Sequence, residues 1–353
     1  MLAPPRQPVL AQRESTHAAP RPAATFYNLP VPEPRANPKT TAGAARLPHA
    51  PESGWSRRLL GAFHVTGVFW YRFHRWGMHF LPSSLVGVAV TVFTTFFFVC
   101  LRRIRAAIAA NLEPVLGPCG WWQRQLRIYR TMWVFAWCLS ERYERLSTDR
   151  SFQIEPEAME HWAEVAAEGR GVVMVTAHLG GYEVGSMMPA QMERRHVYLV
   201  REPEADARAQ AFIQSVVTEF TQAQFTMHFE SDDPLQGLVL LDALRRGDIV
   251  AVQGDRPRGG AKTVNAKLFG RPFALPAGPA ALARAADVSL LPAFVFREGR
   301  RRYRAVFRPP IRPLRSADRA ADLTTAMQRV AADLEWAIRQ APYQWFCFRR
   351  LWP

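Results

Sequence analysis

Lysine is almost missing from this chain. It occurs only at Lys39, Lys262 and Lys267, so the formal charge of +15 is carried by arginine. A guanidinium offers a phosphate two parallel hydrogen bonds where an ammonium offers a point charge. That bias points to an anionic partner or an anionic membrane surface, and on charge alone it leaves nucleic acid open. Cysteine is scarce too. Cys100, Cys119, Cys138 and Cys347 form no CxxC pair, no zinc-ligand spacing and no dense framework, which excludes a disulfide-stapled mini-domain and fits a reducing compartment. Carboxylates are few at the start: residues 1–53 hold only Glu14, Glu33 and Glu52, are rich in Pro and Ala, and lack sustained apolar periodicity. Such a segment is expected to stay disordered. An ordinary signal peptide is not expected, because Pro4, Pro5 and Pro8 interrupt the stretch from Met1 to Leu10 where an unbroken apolar core is needed.

What the chain does have is 353 residues with 48% hydrophobic content, enough for one main domain with appendages. Composition predicts three regions: the disordered Pro/Ala-rich segment over 1–53, a membrane-associating helical region over 54–110, and an α/β domain over 111–353. The middle region rests on FLPSSLVGVAVTVFTTFFFVCL, residues 80–101, which has no charged side chain and approaches the ~20 residues that cross a hydrocarbon layer. Arg102, Arg103 and Arg105 follow at once and favour a cytoplasmic position for everything downstream. Arg72, His74 and Arg75 precede it, so the asymmetry is weak. A spanning helix, a helix lying in the interface and a buried core helix all stay open. Trp70, Tyr71 and Trp76 suit a headgroup belt.

Residues 102–147 read as helical, with aromatic side chains among arginines at spacings near three and four. The character changes at Gly171. GVVMVTAH is a short β-branched run bounded by glycine, and HVYLV, DIVAVQG, VSLLPAFVF and YRAVF follow, alternating with helical segments at 204–219 and 234–246. Strands separated by helices predict an α/β fold: a mostly parallel central sheet flanked by helices, with an N-terminal membrane-associating helix. Sites in such folds lie beyond the carboxyl ends of the strands, and His178 sits at one such end.

The segment Thr176-Ala177-His178-Leu179-Gly180-Gly181-Tyr182-Glu183 sets a histidine and a carboxylate five positions apart. In a straight helix that spacing separates them by about 140°, so they could not touch. Gly180 and Gly181 allow the backbone to fold sharply and return the carboxylate to the imidazole. A His178–Glu183 pair would then be a general-base unit, the histidine accepting a proton and the carboxylate orienting the ring. An isolated H-x-x-x-x-E also fits a histidine hydrogen-bonded at a strand end with no chemistry. The other histidines, His161, His196 and His228 among them, have no partner at metal-ligand spacing and read as structural or exposed.

HLGGYE after a hydrophobic strand resembles the H-x-x-x-x-D/E signature of the glycerolipid acyltransferase superfamily, and more narrowly the lipid A late acyltransferases, the lauroyl and myristoyl transferases. The resemblance runs from Arg102 to Trp352. RRIRAAIAANLEPVLG is similar to a basic helix ending in an Asn-Leu pair, here Asn111 and Leu112, and VYLVREPE to a strand-to-loop arginine motif through Arg201. The block from Gly254 to Ile311 resembles an Asp motif, a Phe-Gly turn, a Pro-x-Gly-Pro helix start and a closing Pro-Pro strand. APYQWFCFRRLW is similar to a terminal Pro-x-Gln-aromatic and Arg-Arg run. Arg256 departs from the pattern, standing where many such enzymes carry glutamine, and the long Pro/Ala-rich head is unusual; both bear on the acceptor and leave the His–Glu pair untouched.

The resemblance implies an O-acyltransferase domain over 111–353 that moves a fatty acyl group from an acyl carrier protein or acyl-CoA thioester to a hydroxyl of a lipid A precursor or related glycolipid. His178 would be the base and Glu183 its partner. Arg201, Arg256 and Arg258 would hold the phosphate of the acceptor or the phosphopantetheine of the donor, the alternative being solvated loop arginines. Asp255 fits a partner for Arg201, a shaper of the pocket or a plain turn residue, and proton transfer is not assigned to it. Neither metal nor bound cofactor is implied, and the location implied is the bacterial inner membrane, catalytic domain on the cytoplasmic side. Rival acceptors are a lysophospholipid or a phosphatidylinositol mannoside. Rival classes are an Arg-rich nucleic-acid binder, disfavoured by the absence of a binding motif, and a metal-dependent hydrolase, which would need a second histidine near His178.

Overall fold

The computed structural model describes residues 76–77, 80–145, 150–182, 195–202, 211, 225–229, 234–257 and 260–352. The segment 1–53 lies outside them, and so does the helix expected over 204–219 apart from Ala211. Three helices come first: α1 (Ser83–Cys100), α2 (Arg102–Leu116) and α3 (Trp121–Arg145). The α/β part continues through β1 (Gln153–Glu157), α4 (Met159–Ala167), β2 (Val172–Thr176), β3 (Val197–Arg201), β4 (Phe225–Phe229), α5 (Pro234–Arg245) and β5 (Ile249–Gln253). It closes with β6 (Thr263–Leu268), β7 (Arg271–Pro276), α6 (Gly278–Ala286), β8 (Leu290–Gly299), β9 (Arg302–Phe307), α7 (Arg319–Gln340) and a single 3₁₀ turn, Pro342–Gln344.

Seven strands form one sheet in the order β1-β9-β8-β2-β5-β3-β4. The stretch β8-β2-β5-β3-β4 is parallel throughout, and β9 turns back against β8 before pairing in parallel with β1. This is the α/β class expected from the alternation of apolar runs and helices. Both faces of the centre are covered. Val173 and Val175 point into the core shared with α6, α7 and the β6–β7 hairpin, while Val172 and Met174 point into the core closed by Trp162 and Val165 of α4. A strand buried on both faces has no polar side to show, so β2 reads as an unbroken apolar run. The hairpin β6–β7 stands apart as a two-stranded antiparallel ribbon whose Val264, Ala266 and Leu268 face α7.

Helix α1 packs against α3 through Val86 and Val90, which meet Trp137. Its other side leaves Val88, Val92, Phe96 and Val99 exposed. At 18 residues it is about 27 Å long, short of the ~30 Å hydrocarbon layer. Among the described residues no single helix is long and apolar enough to cross a membrane; Ser84–Cys100 and Arg102–Leu116 pass that test only as a pair bent by 93°. Helix α3 is tied to the β8–β9 hairpin by two buried carboxylates. Glu141 takes both Arg297 Nε and Nη2 at 2.9 Å and accepts the Tyr303 hydroxyl, while Glu144 accepts from Arg150 at 2.6 Å and from Arg301.

Candidate active site

Strands β2 and β5 are neighbours in register, Thr176 opposite Gln253, and both leave the sheet at the same edge. Just past those ends, His178 Nδ1 lies 2.7 Å from Asp255 Oδ1, although 77 residues separate the two in sequence. The second oxygen, Oδ2, accepts the Trp345 indole N–H at 3.2 Å. An ionised carboxylate can only accept, so Nδ1 carries the hydrogen and Nε2 is left as a free acceptor. Burial alone would raise the Asp255 pKa, but His178, Arg256 and the Trp345 hydrogen bond together hold the carboxyl well below the usual range. Asp255 is therefore ionised, 1% exposed and committed to the imidazole on one side. His178 keeps 15% of its side chain open, enough for a substrate hydroxyl to reach it.

The backbone around the histidine is clamped from three sides. Gly254 donates to Thr176 O at 2.8 Å, Phe346 donates to His178 O at 2.7 Å, Gly180 donates to Gln344 O at 2.9 Å, and Gly181 donates to Val295 O at 3.0 Å. Both glycines are required where they stand. Gly180 sits at φ +55, and a Cβ there would come within 2.2 Å of Val295 O; a Cβ on Gly181 would come within 2.3 Å of the Tyr303 ring. The two glycines let the HLGG segment lie between β8 and the tail; the carboxylate that the fold was expected to return to the imidazole, Glu183, lies outside the described residues.

That tail, Gln344 to Trp352, is the site's third wall. Gln344 exchanges hydrogen bonds with the backbone of Arg297 at 2.8 and 2.9 Å. Asn111 of α2, buried, donates to Cys347 O at 3.1 Å and Arg349 O at 2.8 Å and accepts from Leu351 N at 3.1 Å. The Asn-Leu pair of the sequence is therefore an anchor for the tail. Phe346 and Phe135, with ring centroids 5.2 Å apart, close the wall beside Tyr182.

The expected site residues divide as follows. His178 has a ring partner of the kind expected, but the partner seen is Asp255; Glu183, given that role from the sequence, lies outside the described residues, as does Arg258. Asp255 gives one oxygen to His178 and the other to Trp345; of the roles open to it in the sequence, a partner for Arg201, a shaper of the pocket or a turn residue, the contacts seen are not with Arg201. Arg201 ends β3 at the same edge of the sheet, with β5 between it and β2; two strand spacings put it about 10 Å from the end of β2. Arg256 turns inward: its Nη1 approaches Phe346 O at 3.5 Å and Cys347 Sγ at 3.8 Å. Burial would lower the Arg256 pKa, and the neighbouring Asp255 and Cys347 raise it further than burial lowers it, so this guanidinium is a fixed charge beside the carboxylate. Trp345 and Gln344 went unrecognised as site residues in the sequence; the signal was their place in the Pro-x-Gln-aromatic run. Among the described residues no three His, Cys, Asp or Glu side chains converge as a metal site would require.

A hydrogen-bonded His–Asp pair at the carboxyl edge of a parallel sheet, its imidazole partly exposed and with one nitrogen not engaged by Asp255, is equipped to take a proton from a hydroxyl. Residues 56–353 match the family model for bacterial lipid A biosynthesis acyltransferases. No curated protein matches the chain.

Proposed function

The chain belongs to the bacterial lipid A biosynthesis acyltransferase family; it is an enzyme of acyl transfer to a lipid A precursor, and from that premise we propose that His178 is its general base and Asp255 the group that orients it. The observation that carries this is the 2.7 Å contact between Nδ1 and Oδ1 at the open end of β2. Nε2 takes the proton of the acceptor hydroxyl as its oxygen attacks the carbonyl carbon of a thioester. The thiolate then leaves with that proton, and an ester and a free thiol result. Asp255 stabilises the imidazolium formed in between. Glu183 belongs to the same segment, as the family signature has it, and its contribution is separable by mutation.

The donor in this reading is an acyl carrier protein or acyl-CoA thioester, the acceptor a glucosamine-based lipid A precursor or a related glycolipid. Arg201 and Arg258 serve the anionic group of either substrate, and Arg256 holds the tail beside Asp255. The protein works at the cytoplasmic side of the inner membrane, held there through the exposed apolar side of α1. Purified full-length protein with each donor, and the product ester read by mass spectrometry, tests this. His178→Ala is expected to remove turnover while circular dichroism stays unchanged, and Asp255→Asn to lower kcat by about 10²–10⁴-fold. Wild-type rates in His178→Ala would end the proposal.

A further inference from the structure

Many of the described arginines are answered by carboxylates: Arg170 by Asp287, Arg284 by Asp322, Arg297 by Glu141, Arg308 by Asp333, Arg312 by Glu168. Those around one cleft are not. A cleft of about 530 Å³ between α2, the first turns of α3 and the tail is lined by Arg102, Arg105, Arg124 and Arg350, with Glu113 as its single carboxylate. Among the described residues none of these four guanidinium groups forms an ion pair, and the Nε of Arg105 is buried without a hydrogen-bond partner. The first turn of α3 holds no acid, so the positive end of its dipole beside the cleft is not offset from within the helix. Four guanidinium groups against the one carboxylate of Glu113 leave the hollow with an excess of positive charge that a further anion would offset, and a phosphate oxygen set matches the arginine fork.

The surroundings say which anion. Trp121 and Trp122 are 61% and 80% exposed and Leu126 is exposed beside them. Helix α1, whose exposed apolar side ends at Val99, turns by 93° into α2. With α1 in the acyl layer, that turn lays α2 along the headgroup level, where tryptophan settles. An acidic protein surface would answer the charge but not the apolar rim. We propose that this cleft binds the phosphate of an anionic phospholipid headgroup and so fixes α2 and α3 against the bilayer. The inference rests on the membrane association proposed above for α1.

Flotation of full-length protein with vesicles of phosphatidylcholine, alone or mixed with phosphatidylglycerol, tests both. Wild type should bind the mixed vesicles more tightly, and Arg105→Gln with Arg124→Gln should lose that preference by roughly fivefold for each arginine. Arg105→Lys with Arg124→Lys keeps the net charge but should lose part of the preference, since lysine cannot fork. The proposal is overturned if the glutamine variant keeps the preference, or if the lysine variant keeps all of it, which would mean diffuse attraction. It is also overturned if vesicle binding is unchanged while KM for an acidic carrier-protein donor rises. Binding to neutral vesicles without any preference defeats the cleft and spares α1; preference without neutral binding does the reverse, and no binding to either defeats both.

Discussion

With Nδ1 of His178 committed to Asp255 at 2.7 Å, the aim of the proposed base depends on the residues that fix the backbone around its ring. Gly180 is one of them. Gly180→Ala would force a side chain into the left-handed region, costing about 1–2 kcal/mol, and would press a Cβ to 2.2 Å from a backbone oxygen of β8 that cannot yield. Thermal denaturation should show a clear drop in Tm, and turnover should fall with it. Gly278→Ala is the control: nothing lies within 4 Å of its Cβ position, so Tm should stay within the error of the measurement. At this scale the sequence showed the histidine and the need for glycine after it. It hid Asp255 as the ring partner because the pairing depends on β5 lying beside β2, which is a fact of strand order and not of spacing along the chain.

Among elements, the tail and α3 carry the most consequence for the site. Asn111→Ala removes three hydrogen bonds and strands two carbonyls and an N–H of the tail, a loss of about 2–4 kcal/mol by denaturant unfolding. Trp345→Phe, which keeps the ring but not the donor to Asp255, should lower kcat by about tenfold with KM little changed. The clasp between α3 and β8–β9 predicts a pH dependence. Burial raises the pKa of Glu144, but Arg301 and Arg150 outweigh it and leave the group lowered. Its contribution to stability is therefore present above the ordinary glutamate value near ~4.3 and is lost as pH falls below it. Glu144→Gln should lower Tm at neutral pH and flatten its decline on the acid side; a parallel decline in both proteins would refute this. Five apolar runs marked β2, β3, β5, β8 and β9 in the sequence. β1 escaped because Gln-Ile-Glu-Pro-Glu is an edge strand paired on one side only, free to be polar and to hold a proline. The β6–β7 ribbon was legible only as a Phe-Gly turn.

For the whole molecule, the two proposed membrane contacts, the apolar side of α1 and the arginines around α2, would respond differently to salt. Electrostatic adhesion weakens as salt screens it, whereas an apolar face in the acyl layer resists salt and yields to detergent. Full-length protein and a form lacking residues 1–53 should both stay with membranes through a high-salt wash and be released by detergent; release by salt alone would show that α1 is not buried in lipid. The tail has a consequence in time. A growing polypeptide leaves the ribosome from its amino end, so α1 and His178 emerge well before Gln344, Trp345 and Phe346, which orient Asp255 and pin the backbone around the histidine. While translation is under way the chain therefore holds its base without the wall that aims it. On the proposal that α1 enters the bilayer and His178 is the base, a nascent molecule would meet the membrane while still inert, and a product cut short before Trp345 would stay bound there and transfer nothing.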